Sequence, residues 1–211
     1  MDNMILIGAG GHSKVIQDIV LTTPNIKLYA VLDEAFNHTI KKDGLIYANT
    51  NFINEINQNE FLFCIAIGNN NTRKNIFERL SIPLQQYAKL IHPSAVVSNS
   101  ARIGNGTVVM PNAVINADTK VGNHCIVNTG SVIEHDNAIG SYVHVSPNAT
   151  LSGTVTVEDG THIGAGATVI PGKSIGTWAT VGAGAVVIED IESYVTAVGV
   201  PAVKINTIDK G

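Results

Sequence analysis

The stretch Thr107-Val-Val-Met-Pro-Asn-Ala-Val-Ile115-Asn-Ala-Asp-Thr-Lys-Val121-Gly-Asn-His-Cys-Ile-Val127 decides the fold. An aliphatic residue returns in it at every sixth position: Val109, Ile115, Val121 and Val127. The series continues both ways without a slip, from Val97 and Ile103 through Ile133, Ile139, Val145, Leu151, Val157, Ile163, Val169, Ile175 and Val181 to Val187. A helix repeats its buried face about every 3.6 residues and a strand every 2, so neither needs a period of six. A hexapeptide period is the signature of a parallel β-helix, in which three short strands make a coil and coils stack. Two residues before most of these positions stands a short side chain (Ala95, Ala101, Thr107, Ala113, Thr119, Cys125, Ser131). Each hexad therefore offers two side chains to the inside of a narrow prism. Lys173 breaks this second column, and its ammonium is expected to escape to solvent. The hexads amount to about five coils.

Composition agrees. Charged residues are only 14% of the 211 and aromatics 5%, with 20 glycines, which suits a coil stack with tight corners. The net charge of -4 leaves no basic stripe to neutralise phosphates, so a nucleic-acid partner is not expected. Cys64 and Cys125 are too few and too far apart for a disulfide framework or a thiolate metal site. The apolar run Met4 to Ile7 lacks the flanks of a signal peptide, and no run approaches the ~18 residues of a membrane span. The expected compartment is the cytoplasm.

Residues 1–90 have a different texture. Met4 to Ile7 reads as a strand, Gly8-Ala-Gly-Gly11 as a turn and His12 to Leu21 as a helix. Leu28 to Leu32 and Phe61 to Ile67 read as further strands, and Thr72 to Leu80 as a second helix. Strand, glycine turn, helix, strand is a βαβ pattern with a parallel sheet. The region is too small for a full two-half dinucleotide fold. The junction is Ile91-His-Pro-Ser94, and residues 91–211 form the β-helix with a tail from Glu189. A coil stack ends in exposed β edges, which the α/β unit and the tail are placed to cap.

Four stretches can carry chemistry. In Glu134-His135-Asp136 a carboxylate follows an imidazole, which can fix its tautomer and make it a better base; a surface His on a coil corner has the same spelling. His144 and His162 are one coil apart and stack on one face, without a third metal ligand nearby. His135 and His144 are half a coil apart, hence on different sides of one prism. They serve one site only if neighbouring prisms pack together, which favours a homo-oligomer. The glycines of Gly8-Ala-Gly-Gly-His12 let a ligand approach a helix N-terminus that attracts an anion such as a pyrophosphate, with Asp33 placed for a ribose or base; a plain strand-to-helix turn asks for the same residues. Gly68-Asn-Asn-Asn71 with Arg73 sits at a strand's carboxyl end, where open sheets bind ligands; a polar loop with a helix cap is the alternative.

Together these stretches resemble the bacterial nucleotide-sugar acetyltransferases that join a Rossmann-like βαβ domain to a left-handed parallel β-helix. The group includes UDP-4-amino-sugar N-acetyltransferases of bacillosamine synthesis, perosamine N-acetyltransferases and sialic acid O-acetyltransferases. The resemblance runs from Gly8-Ala-Gly-Gly-His12 to Gly199-Val-Pro-Ala202, and is most specific at Asn128-Thr-Gly-Ser-Val-Ile-Glu-His-Asp136 with His144-Val-Ser146. It implies left-handedness, a homotrimer, acetyl-CoA and a nucleotide-linked amino sugar, without a metal. It implies His135 as general base and Asp136 as its orienting carboxylate. Asn128 and His144 would line the acetyl end of the CoA channel, and Gly153 and Ala165 the pantetheine arm. Gly10, Gly11 and His12 would form the phosphate turn, Asp33 and Glu34 the nucleoside contacts, and Gly68, Asn69 and Arg73 the other wall. Direct attack of an amine on a thioester needs a base and oxyanion donors, not a Ser or Cys nucleophile; Cys125 is read as packing. The implied reaction is N-acetylation of the 4-amino group of a UDP-linked 4-amino-4,6-dideoxy sugar for surface glycans. GDP-perosamine, a dTDP-amino sugar or a sialic acid hydroxyl are the alternative acceptors. A zinc carbonic anhydrase with His135, His144 and His162 as ligands is the remote alternative, and a non-catalytic scaffold the third.

Overall fold

The computed structural model describes residues 1–207, so the last four residues of the region read as the C-terminal tail lie outside it. The chain opens with β1 (Asp2–Ile7), α1 (Gly11–Thr22), β2 (Ile26–Leu32), β3 (Ile40–Lys42), β4 (Leu45–Ala48), β5 (Phe61–Ile65) and α2 (Asn70–Leu80). These strands form one sheet in the order β3-β4-β2-β1-β5, parallel except for β3. The expected strands and helices are present, with ends moved by one or two residues. The β3–β4 hairpin was not expected. Its turn is Asp43-Gly44, with φ of 51° and 79°, the dipeptide that tight hairpins favour; β3 is three residues long and exposed throughout, and gives no periodicity to read.

From Leu90 the hexads fold as strands of two residues on three faces of a prism. The first face carries the strands at Val96, Val114, Val132, Thr150, Thr168 and Val186, and the second those at Arg102, Lys120, Ala138, Thr156 and Ser174. The third starts at Leu90 and runs through Val108, Ile126, His144, His162 and Thr180 to Val195–Val198, where Val203–Thr207 adds the one antiparallel strand of that sheet. Pairing is parallel at a register of 18 residues, as in His144 opposite His162. The hexad aliphatics and the short residues two before them fill the prism, from Val109 to Val187. Lys173 leaves this core and its Nζ reaches Glu189 at 3.7 Å.

Each corner turns through a left-handed residue, again at a spacing of six: Asn112, Asp118, His124, Asp136, Tyr142, Asn148 and Thr154, with glycines at 106, 130, 160, 166 and 172. Gly, Asn and Asp take this conformation most readily, which explains their density in the corners. The buried short polar side chains also have a task, because corner carbonyls lack ladder partners. Thr107 donates to Gly122 O, Thr119 to Glu134 O, and Thr161 to Gly176 O.

The α/β unit lies on the third face. Leu90, Val108, Met110 and Ile126 pack with Ile16, Ile19 and Val20 of α1, outside the prism core. Along this outer row the residues turn from Val108 and Ile126 to His144 and His162. The apolar packing against α1 ends where the histidines begin.

Candidate active site

The parallel strands β1, β2 and β5 end together, since Ile7 is level with both Leu32 and Ile65. Their exits therefore bring three expected segments to one edge: Gly8–His12, Asp33–Glu34 and Gly68–Asn69. Gly8 must be glycine, because its φ is 116° and a Cβ there would meet Ala66 O at 2.9 Å. Gly10, Gly11 and Gly68 are different. A Cβ on any of them meets nothing within 4 Å, so they border open space, Gly10 and Gly11 at the N-terminus of α1 and Gly68 just before that of α2. Asp33 braces the turn: Ala9 N–H donates to its Oδ2 at 2.7 Å and Ala35 N–H to its Oδ1 at 3.0 Å. Glu34 turns elsewhere, to Thr50, Asn49 and Arg79, and the Thr50 hydroxyl with the other donors holds its acid below the usual carboxylate range. The Nε2 of His12 is buried without a partner, and burial, with the Arg73 cation, pushes this His down to about 4.

His144 joins that edge to the β-helix. Thr129 N–H donates to Asn128 Oδ1 at 2.8 Å, which turns the Asn128 amide nitrogen toward His144 Nε2 at 3.0 Å. Nε2 is thus an acceptor and the proton sits on Nδ1, where the ring has a backbone hydrogen bond with Gly68. The His162 ring stacks on it, with centroids 5.0 Å apart and 6° between planes. Burial and the His162 charge drive the pKa of His144 down to about 3, so it is neutral at physiological pH. Ser146 Oγ lies 2.8 Å from His162 Nε2.

His135 and Asp136 stand apart, at the corner between the first and second faces. His135 Nδ1 is 2.8 Å from Asp136 Oδ2, and both side chains are exposed. Asp136 holds the left-handed turn position, φ 59°, a conformation Asp tolerates better than Glu. The Nε2 edge of the ring lies over Gly153 of the next coil, where a Cβ would come within 2.6 Å of Cε1 and 2.7 Å of Nε2. Ala165 is on another corner, between the third and first faces, and its carbonyl accepts from Gly184 N–H. Within one chain His135, His144 and His162 do not converge, and no cluster of three metal-ligating side chains is found among the described residues.

Two expectations need correction. Arg73 does not line the open edge. It is 1% exposed, and its donors go to His124 O (2.7 Å), Ile67 O, Gly68 O, Asn70 Oδ1 and Tyr142 O (2.9 Å). Asn70 Nδ2 continues this ladder to Gly160 O at 3.0 Å and Thr161 O at 3.1 Å. Arg73 and Asn70 thus rivet α2 to carbonyls of three successive corners between the second and third faces. Burial lowers the pKa of Arg73 to about 10, which still leaves it charged. The second correction is Asn69. Its Oδ1 caps α2 by accepting from Thr72 N–H at 2.9 Å, the helix-cap reading of that loop.

Asn137 was missed. It is buried, donates to Glu134 O (2.6 Å) and Ser152 O (3.0 Å), and accepts from Val155 N–H (3.1 Å). It therefore ties the His135 corner to the coil that carries Gly153. The signal was present, since 137 belongs to the column of short residues and Asn is the odd member.

Comparison with known proteins follows the same division. Residues 3–80 match the PglD N-terminal domain, and residues 100–135 the bacterial transferase hexapeptide (six repeats). A UDP-N-acetylbacillosamine N-acetyltransferase of Bacillus subtilis (strain 168) is 47% identical over 112 residues. That alignment spans 52% of this chain and only 52% of the relative, about half its length. The structure of PerB from Caulobacter crescentus, in complex with CoA and GDP-perosamine, is similar at TM-score 0.88 and 33% identity, over 98% of both chains. The acetyltransferase domain of PglB from Neisseria gonorrhoeae FA1090, in complex with acetyl coenzyme A, is similar at TM-score 0.87 and 35% identity, over 96% of this chain and 98% of that one. With this likeness end to end, the chain belongs to the hexapeptide-repeat acetyltransferases that carry a PglD-type N-terminal domain.

Proposed function

We propose that the protein is an acetyl-CoA-dependent N-acetyltransferase acting on the 4-amino group of a UDP-linked 4-amino-4,6-dideoxy sugar, in the cytoplasm, for surface glycan synthesis. The observation that carries this reading is the His135–Asp136 pair. A carboxylate on Nδ1 holds the proton there and leaves the Nε2 lone pair as the base. In the step itself the amine nitrogen attacks the thioester carbonyl carbon. The C–N bond forms, the C–S bond breaks, and the amine proton passes to Nε2 and from there to the departing thiolate. Holding both substrates in one cleft removes much of the entropic barrier. Asp33, the open glycine turn of α1 and the Gly68 loop offer a nucleotide diphosphate a helix N-terminus and backbone donors.

The acceptor assignment follows the sequence match with the bacillosamine enzyme. GDP-perosamine is the second reading, favoured by the likeness over the full length to a structure that holds it. We also assign the working form to a homotrimer with sites between subunits. His135 sits on a corner that the chain's own α/β unit does not cover, so base and phosphate turn meet only across neighbouring prisms. A panel of UDP-, GDP- and dTDP-linked amino sugars and sialic acid, incubated with acetyl-CoA, is read by thiol release and product mass. An alkali-stable acetyl on the UDP-linked amine is the expected product. An alkali-labile ester on sialic acid, with no transfer to any amine, overturns the reading.

A further inference from the structure

Gly153 is not required by its own backbone. Its φ lies outside the left-handed region, and the three atoms nearest to a Cβ built there all belong to the His135 ring: Cε1 at 2.6 Å, Nε2 at 2.7 Å and Nδ1 at 3.3 Å. In this column His135 itself stands one coil before Gly153, Ala117 one coil before that and Pro171 one coil after, so side chains fit the column elsewhere. Of these four, only Gly153, stacked directly on His135, lacks one. The contrast with Gly160 is instructive. It too lies under a ring, that of Trp178, but its φ of 70° already favours glycine.

We infer that Gly153 is a positioning residue for His135: its bare Cα is the platform on which the imidazole rests, and it sets where Nε2 points. The inference rests on the reading of His135 as the base. Three constraints fix the ring. Asp136 holds Nδ1, Thr154 N–H donates to the His135 carbonyl at 3.0 Å, and Gly153 supports the Cε1–Nε2 edge. Asn137 keeps the two coils in register through Ser152 O and Val155 N–H. Ordinary carbon contacts need ~3.5–4.0 Å, so a methyl at 153 lifts that edge by about 1 Å. It moves Nδ1 least, because that atom starts farther away. The displacement therefore falls on the atom that takes the proton, and ~1 Å of misplacement costs ~10²-fold in rate.

The test is a double-variant cycle on the full-length enzyme with Gly153→Ala, His135→Ala and both. Gly153→Ala is expected to lower kcat ~10²-fold, with the pH profile of kcat altered. In the His135→Ala background the same change is expected to lower kcat less than about twofold, because the ring it displaces is gone. Melting supplies a second measurement that does not need activity: Gly153→Ala lowers Tm in the native background and not in the His135→Ala one. Equal losses in both backgrounds, or a normal kcat in Gly153→Ala, overturn the inference. If His135→Ala itself keeps a normal kcat, the base reading fails instead, and the melting cycle alone then decides whether the ring rests on Gly153.

Discussion

Asn128 Nδ2 donates to His144 Nε2 at 3.0 Å, and this one bond fixes the tautomer of a half-buried imidazole that bridges the β-helix to the Gly68 loop. His144 is therefore an N–H donor toward the α/β unit and cannot serve as a base through Nε2. Asn128→Asp replaces the donor by a carboxylate, which favours Nε2–H and the charged ring. Acetyl-CoA binding by this variant is expected to become pH-dependent between about pH 5 and 8, where the native protein shows none from this group. Calorimetric titrations across that range check it. A flat profile in Asn128→Asp means that His144 is not held by this bond.

Arg73 makes a prediction opposite to that of a ligand-binding arginine. Its guanidinium is buried and its donors are spent on backbone carbonyls from 5 to 69 residues away and on Asn70 Oδ1. Arg73→Met leaves those carbonyls without donors, and each buried group so orphaned costs ~1–3 kcal/mol. Urea unfolding should lose at least ~3 kcal/mol by that reckoning. Arg73→Lys recovers little, because an ammonium cannot span the fan of acceptors. An unchanged midpoint with a raised KM for the sugar nucleotide restores Arg73 to the substrate wall.

What was legible in the sequence follows from how often each signal repeats. The β-helix was read whole because every hexad asks for the same thing, so one Lys173 could not hide it. The meeting of Gly8, Asp33 and Gly68 at one sheet edge was legible because the parallel strands before them end level with one another. Arg73 was misplaced because a basic residue after a polar loop looks the same whether it faces a phosphate or backbone carbonyls. His124 O and Tyr142 O came within its reach only through the stacking of coils. The left-handed column was hidden because His124, Tyr142 and Trp178 share it with Gly, Asn and Asp. Their rings gain contacts at the α2 joint: Phe77 and Tyr87 on His124, His124 on Tyr142, and Lys74 over Trp178 at 5.7 Å. Such gains belong to tertiary structure, and local propensity does not announce them.

The same joint sets an acid limit. His124 is 0% exposed, between Phe77, Tyr87 and Tyr142 and near the Arg73 cation, with neither ring nitrogen partnered. Burial, with that cation, lowers its pKa to about 4, and His12 is lowered to about 4 in the same way. The sign follows from proton counts. From about pH 6.5 down to about 4 the unfolded chain binds protons that the folded one refuses, so stability falls with pH in that window, and the share of these two histidines levels off below it. His124 alone gives a slope approaching ~1.4 kcal/mol per pH unit there. Urea midpoints at pH 7.5, 6, 5 and 4.5 should fall steadily, and less steeply in His124→Phe, which keeps an aromatic ring and does not titrate. Equal slopes in the two proteins would remove His124 from this account.

The last prediction concerns which chains build one site. Gly11 borders open space at the start of α1, and a side chain there meets nothing in the protein. Gly11→Val should therefore fold and still block a phosphate. His135→Ala removes the base and leaves the nucleotide edge intact. Each variant alone is expected to be inactive at ordinary substrate levels. If the phosphate turn of one subunit works with the His135 of the next, mixing the two variants repairs a site wherever an intact turn meets an intact base. With random assembly at equal amounts that is about a quarter of all sites, and about one site in three within each mixed cyclic trimer. If turn and base serve one site within a chain, no mixture contains a repaired site. Co-expression with two different tags, tandem purification of the mixed species and assay of thiol release decide between these outcomes. Mixed trimers without activity, from two variants that each keep their fold and their other ligand, would end the inter-subunit reading.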